Sequence, residues 1–144
     1  MEKKMLQTKL KTVRTFEELL EVALWEIQTG GFDTMISFPI HTGGLGNASD
    51  NIRHAQQFIQ QLGITNFKIW NQIPYLNQNL SVTPKMTNME WKFNRFYIPL
   101  IRSRVFTQFI MLPGWESSVG CRTEHTEAIS IGAKIFYVDN QQIL

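Results

Sequence analysis

The chain has 144 residues, 43 % of them hydrophobic and 18 % charged, which suits a globular domain long enough to bury a real core. A formal net charge of +2 decides nothing about nucleic acid by itself, but with no dense basic patch beyond the N-terminus no nucleic-acid polymer is expected as a partner. No run of about eighteen apolar residues exists, so no membrane span is expected, and a single cysteine excludes an internal disulfide and a Cys-rich zinc site.

Residues 1–14 carry Lys3, Lys4, Lys9, Lys11 and Arg14 and read as a solvated basic arm, with an added edge element as the alternative. The opening MEKKMLQTKLK is too polar for a secretory signal, which points to the cytoplasm. Residues 15–144 read as one domain. Thr15 with Glu18 forms a capping-box pattern before a helix ended by Gly30-Gly31, with an apolar stripe of Phe16, Leu19, Leu20, Ala23, Leu24 and Ile27. Trp25 lies off the centre of that stripe, in the core or against a partner chain.

Thr34 to Phe38 reads as the first core strand, followed by the glycine-rich turn PIHTGGLGNASD, where backbone N–H groups can come close to a ligand. A plain surface loop is the alternative. Neither G-x-G-x-x-G nor a Walker lysine is present, so a dinucleotide fingerprint and a P-loop are both unsupported. Ser49 or Asp50 is expected to cap the next helix, NIRHAQQFIQQL, whose inner stripe is Ile52, Ala55, Ile59 and Leu62. Arg53, in its first turn, suits either a ligand phosphate or carboxylate or a surface ion pair.

Phe67 to Ile73 reads as a second strand and residues 74–87 as an irregular polar stretch of the kind that forms site loops or covers edges. Asn88 to Arg104 reads as a helix bent by Pro99. Its aromatics Trp91, Phe93, Phe96 and Tyr97 suit core or interface, with one or two available to stack on a base.

The apolar run Phe109 to Leu112, bounded by Pro113-Gly114, suits a strand covered on both faces. Ser117 and Ser118 then stand ahead of a helix N-terminus, an arrangement suited to an anion such as phosphate. On that helix Glu124 shares a face with Cys121, Ala128 and Ile131, so a carboxylate is expected on a buried face. Cys121 reads as a small core residue. An acid favoured by the helix macrodipole explains Glu124 equally well from position alone. The surroundings add weight to function, because α/β sheets bind ligands where strand ends meet helix starts. Lys134 to Asp139 is the last predicted strand.

Helix and strand alternate throughout. The expected fold is α/β, three-layered, with a mostly parallel sheet of four to five strands and helices on both faces, Rossmann-like or flavodoxin-like. The fifth strand would come from residues 1–14 or 74–87.

The segment LPGWESSVGCRTEHTEAISIG resembles the nucleoside 2-deoxyribosyltransferase-like superfamily, in particular small phage- and bacterium-encoded members with a Pro-Gly-Trp turn. SFPIHTGG, with Arg53 downstream, is similar to the family's opening βα unit, and FYIPLIRSRVFTQFIMLPGWESS to its helix–strand entry. The likeness spans Ile36 to Val138. It implies chemistry at an N-glycosidic bond, with Glu124 as the nucleophile on the anomeric carbon and a glycosyl-enzyme ester resolved by a second base or by water. It further implies that the helix N-terminus keeps Glu124 ionised. Ser117, Ser118 and Gly120 would hold a 5′-phosphate, while His41, Gly43 and Gly44 would approach base or sugar. Trp115, Asn94 and Tyr97 complete the expected lining, and no metal or cofactor is implied.

One departure stands out. Relatives carry an Asp near where this chain has Asn94 and Arg95. Glu90, Glu116 and Glu127 are the other acids available to protonate a leaving base. The expected ligand is a nucleoside or nucleotide, and a homo-oligomer is implied because relatives complete the pocket with a neighbouring subunit's loop. The alternative function is a non-catalytic binder, a sensor or sequestering protein for a nucleotide or an ADP-ribose-type signal. A purely structural subunit is a third and weaker reading.

Overall fold

The computed structural model describes residues 2–40, 47–62, 67–76, 92–139 and 142–143. In chain order its elements are α1 (Glu2–Thr12), α2 (Phe16–Gly30), β1 (Thr34–Ser37), α3 (Ala48–Leu62), β2 (Ile69–Trp70), α4 (Ile98–Arg102), β3 (Gln108–Met111), α5 (Val119–Ser130), β4 (Lys134–Asp139) and β5 (Gln142–Ile143). Short 3₁₀ turns occupy Ile73–Tyr75 and Trp115–Ser117, and a π turn, Phe93–Tyr97, leads into α4. Two compact units form, Met1–Gly31 with Gln72–Val105, and Phe32–Asn71 with Phe106–Leu144.

The second unit carries the sheet, in the order β2-β1-β3-β4-β5. β1 to β4 run parallel, and β5 returns antiparallel against β4. α3 joins β1 to β2, and α5 joins β3 to β4 in the opposite lateral direction. Right-handed crossovers therefore put the two helices on opposite faces, giving the expected three-layer α/β fold with a flavodoxin-like 2-1-3-4 order of parallel strands. β1, TMIS, is buried throughout, as a central strand covered on both faces should be. The fifth strand comes from Gln142–Ile143; residues 2–12 are helical, and 77–87 lie outside the described residues.

α3 starts earlier than expected. Asn47, not Ser49 or Asp50, caps it: its Oδ1 accepts the Asp50 N–H at 2.9 Å and its Nδ2 donates to Asp50 Oδ2 at 2.7 Å. The buried stripe of α3 is centred on Asn51, Ala55 and Phe58, while Ile52 and Ile59 lie at its margin. Asn51 is buried because its Nδ2 donates to the Ile40 carbonyl at 2.9 Å, tying the exit of β1 to the first turn of α3. β2 is shorter than the predicted FKIWNQI strand. The Tyr75 N–H bonds the Gln72 carbonyl at 2.9 Å, and Pro74, with no N–H to give to a ladder, sits inside that turn.

In the first unit α2 is the element its caps dictate. Thr15 Oγ1 accepts the Glu18 N–H at 3.1 Å, a cap contributing about 1 kcal/mol. Gly31 closes the helix at φ 67°, where a side chain would be strained. Residues 2–12 are not a solvated arm. They form α1, which packs on α2 with Leu6 and Leu10 buried and Val13 buried just beyond its end, while Lys3, Lys4 and Lys11 are exposed. Lys9 Nζ sits 4.7 Å above the Trp25 ring, so Trp25 meets its own chain. The predicted 88–104 helix is irregular before Pro99: the Ile98 N–H bonds back five residues to the Phe93 carbonyl, and regular α-helix follows. A proline cannot donate to the residue four before it, and a widened turn ahead of it accommodates its ring. Phe96 and Tyr97 are buried, ring against ring at 4.9 Å, so these aromatics serve the core of their own unit.

A helical α1 makes a stability prediction. Leu10→Ala is expected to cost about 2 kcal/mol or more in urea unfolding, as truncation of a buried leucine does. A change below about 0.5 kcal/mol is the behaviour of a solvated arm and would contradict the packing described.

Candidate functional site

β1 and β3 are neighbours whose helices leave in opposite directions, so the crevice at their C-terminal ends is the switch point of the sheet. Ser37 ends β1, Met111 ends β3, and Tyr137 of β4 stands in the same register row. Side chains at one row of parallel strands point to one face. Here it is the face covered by α5, which packs against β1, β3 and β4.

Glu124 comes down from α5 onto this row. Ser37 Oγ donates to its Oε1 at 2.6 Å, across a separation of 87 residues. Ser37 is fully buried and Glu124 only 5 % exposed. Burial pushes the Glu124 carboxyl up to about 7, and the Ser37 hydrogen bond opposes that rise by favouring the ionised form. The expectation that the helix N-terminus keeps Glu124 ionised is therefore corrected. Glu124 is the sixth residue of α5, beyond the first turn where the macrodipole acts, and desolvation prevails.

Cys121 and Ala128 are buried on the same face of α5, as predicted. Burial, then the negative charge of Glu124, pushes the Cys121 thiol up to about 12, so it stays protonated and is no nucleophile. Ser118 is the buried N-cap of α5, its Oγ accepting the Cys121 N–H at 3.3 Å. Ser117 is exposed and donates to the Gly114 carbonyl at 2.6 Å, within the turn that Gly114 opens at φ 85°. The two hydroxyls thus carry local structural duties. Gly120 lies half-buried in the first turn of α5.

Trp115 stacks on His125, with ring centroids 4.4 Å apart, and His125 Nε2 is 2.7 Å from the Tyr137 hydroxyl. This trio borders the Glu124 face. Glu116 is exposed, and its carbonyl accepts from Arg122 at 2.8 Å. Glu127 is half-buried on α5.

Arg53 is exposed and pairs with Asp50 at 3.6 Å, the surface ion pair of the two readings. Asn94 and Tyr97 belong to the first unit. Asn94 is exposed there, and the buried Tyr97 donates its hydroxyl to Gln72 Oε1 at 2.8 Å. Arg95 forms an ion pair with Glu17. His41, Gly43, Gly44 and Glu90 lie outside the described residues. Among the described residues no cluster of three or more His, Cys, Asp or Glu side chains could hold a metal.

Sequence reasoning missed Ser37, His125 and Tyr137. Ser37 carried a signal: a hydroxyl closing an apolar, fully covered strand must find a partner. That this partner is Glu124, 87 residues away, carried none.

Set against protein-family models, curated proteins and solved structures, the chain matches none of them.

The elevated Glu124 value makes stability depend on pH. The folded protein holds this proton more tightly than the unfolded chain, whose carboxyl titrates near 4.5. That contribution is complete below about pH 4.5 and is lost as the pH rises to about 7. Its size is on the order of 3 kcal/mol. Glu124→Gln should flatten this part of the stability curve and leave the variant more stable than wild type at pH 8 in urea unfolding. An unchanged pH dependence would show that Glu124 is not desolvated.

Proposed function

We propose that this protein binds a nucleoside or nucleotide and cleaves or transfers at its N-glycosidic bond, with Glu124 as the nucleophile. The single observation that carries the reading is a nearly buried carboxyl at the C-terminal end of β1, beside the switch point of a parallel sheet. The segment around it resembles the nucleoside 2-deoxyribosyltransferase-like superfamily, in which the helix-opening Glu does this work.

In this mechanism the ionised carboxylate attacks C1′ of the sugar. The C–N bond breaks, the base leaves with the bonding pair and takes up a proton, and a glycosyl ester forms on Glu124. Water or a second base then attacks C1′ and frees the carboxylate. Trp115, beside the start of α5, offers a ring for the leaving base. A 5′-phosphate would lie at the turn of Ser117, Ser118 and Gly120, where a helix N-terminus favours an anion. A homo-oligomer and a cytoplasmic setting belong to the same reading.

A non-catalytic binder is the second reading, and one observation favours it. Among the described residues burial and Ser37 alone shift the Glu124 carboxyl, with no second carboxylate contributing, whereas glycoside cleavage commonly uses two. Asn94 and Arg95, where relatives carry an Asp, point the same way.

Incubation with deoxynucleosides and their 5′-monophosphates, followed by chromatography of released base, separates the two. The enzyme reading expects base release that rises with pH through about 7 as Glu124 ionises, and a loss of more than about a thousandfold in Glu124→Ala. Calorimetric binding with the ligand recovered intact identifies the binder. Release unaffected by Glu124→Ala would overturn the assignment of the nucleophile.

A further inference from the structure

The two oxygens of Glu124 are not equivalent. Oε1 accepts the Ser37 hydroxyl at 2.6 Å. Among the described residues no hydrogen bond reaches Oε2, yet no buried side-chain oxygen or nitrogen goes without a partner. Oε2 is therefore the oxygen in contact with solvent, and the 5 % exposure of Glu124 includes it. Ser37 itself is fully buried on β1, paired with Met111 of β3, and its carbonyl accepts the Leu112 N–H at 3.0 Å. Its hydroxyl is a rigidly placed donor.

We propose that Ser37 is the positioning residue of this site: its hydroxyl holds Oε1 of Glu124 and leaves Oε2 as the oxygen that bonds to the sugar carbon. The inference rests on the reading of Glu124 as the reacting group and adds a division of labour to it. A carboxylate anchored through one oxygen loses the rotation that would otherwise swap the two, so the second oxygen meets C1′ in one orientation. The same bond supports the charged form against burial, so Ser37 also sets how much carboxylate exists at neutral pH.

Other ionisable groups leave this role to Ser37. β1 and β3 bring none among Thr34–Ser37 and Gln108–Met111. α5 brings Cys121, Arg122, His125 and Glu127, the preceding turn Glu116, and β4 Lys134, Tyr137 and Asp139. Among the described residues burial and the Ser37 hydroxyl are the causes that shift the Glu124 carboxyl, and the Cys121 thiol beside it stays neutral.

The test is direct titration of Glu124 by ¹³C NMR in protein labelled at the glutamate side-chain carboxyls, with Glu124→Gln assigning the signal and no substrate present. Ser37→Ala and Ser37→Cys remove the strong donor with little change of shape; Ser37→Thr keeps it. The expected result is an upward shift of about one unit or more in the alanine and cysteine chains, and a return toward the wild-type value in the threonine chain. The pH profile of base release should move with it, so that activity at pH 7 falls by about fivefold or more in Ser37→Ala, and part of that loss persists at higher pH, where the carboxylate is formed but no longer anchored. A Glu124 signal that titrates alike in all the chains overturns the proposal, as does a threonine chain that behaves like alanine. Absence of base release in wild type, with the NMR shift intact, would instead count against the glycosidic reading and leave the Ser37–Glu124 coupling in place.

Discussion

The side-by-side parallel pairing of β1 and β3 is the constraint from which the site follows. Their register runs from Thr34 opposite Gln108 to Ser37 opposite Met111, and the Leu112 N–H extends it to the Ser37 carbonyl at 3.0 Å. At the other end the Thr107 and Gln108 N–H groups both reach the Asp33 carbonyl. With the two strands locked in this order, right-handed connections send α3 and α5 to opposite faces and open a crevice between their first turns. Glu124 reaches Ser37 because α5 must cross back over β1 and β3 to cover them. The geometry of the carboxyl is a product of topology before it is a product of local sequence.

Burial then decides the chemistry of that carboxyl. The α5 N-terminus lies a turn and a half away, too far to hold the charge, and a single hydroxyl offsets only part of the desolvation. The first unit contains a counterpart of opposite sign. Lys92 is buried, donates its Nζ to the Tyr75 carbonyl at 2.6 Å, and has its ammonium pushed down to about 8 by desolvation. In both units an ionisable group is held by one neutral oxygen-bearing partner and not by an opposite charge, which keeps each of them close to its ionisation point at neutral pH.

How much of this was legible depended on how local each signal was. α2 could be read because Thr15, Glu18 and Gly31 are within one helix length of each other and act through their own backbone neighbours. β1, β3 and β4 were visible as short apolar runs, and the buried face of α5 as the spacing of Cys121, Glu124 and Ala128. α1 was hidden because four lysines outweigh Leu6, Leu10 and Val13, although those three fall at helical spacing. The brevity of β2 and the π turn before Pro99 arise from packing demands that composition does not display. At the site, the acid was legible and its hydroxyl partner was not, since a pairing across 87 positions leaves no mark on either neighbourhood. The ionisation state went wrong for the same reason: helix position is local, desolvation is not.

The outermost strands, β2 and β5, are each only two residues long among the described residues. A free strand border is a template on which other chains can add, and its hazard grows with its length and flatness. Either outer strand offers room for barely one pair of backbone contacts, and the antiparallel return of β5 covers Val138 and Asp139 of β4. Lys134–Tyr137 is the longest stretch of strand border left uncovered among the described residues, and the Lys134 charge at its start is the kind of group that discourages a further chain from adding there.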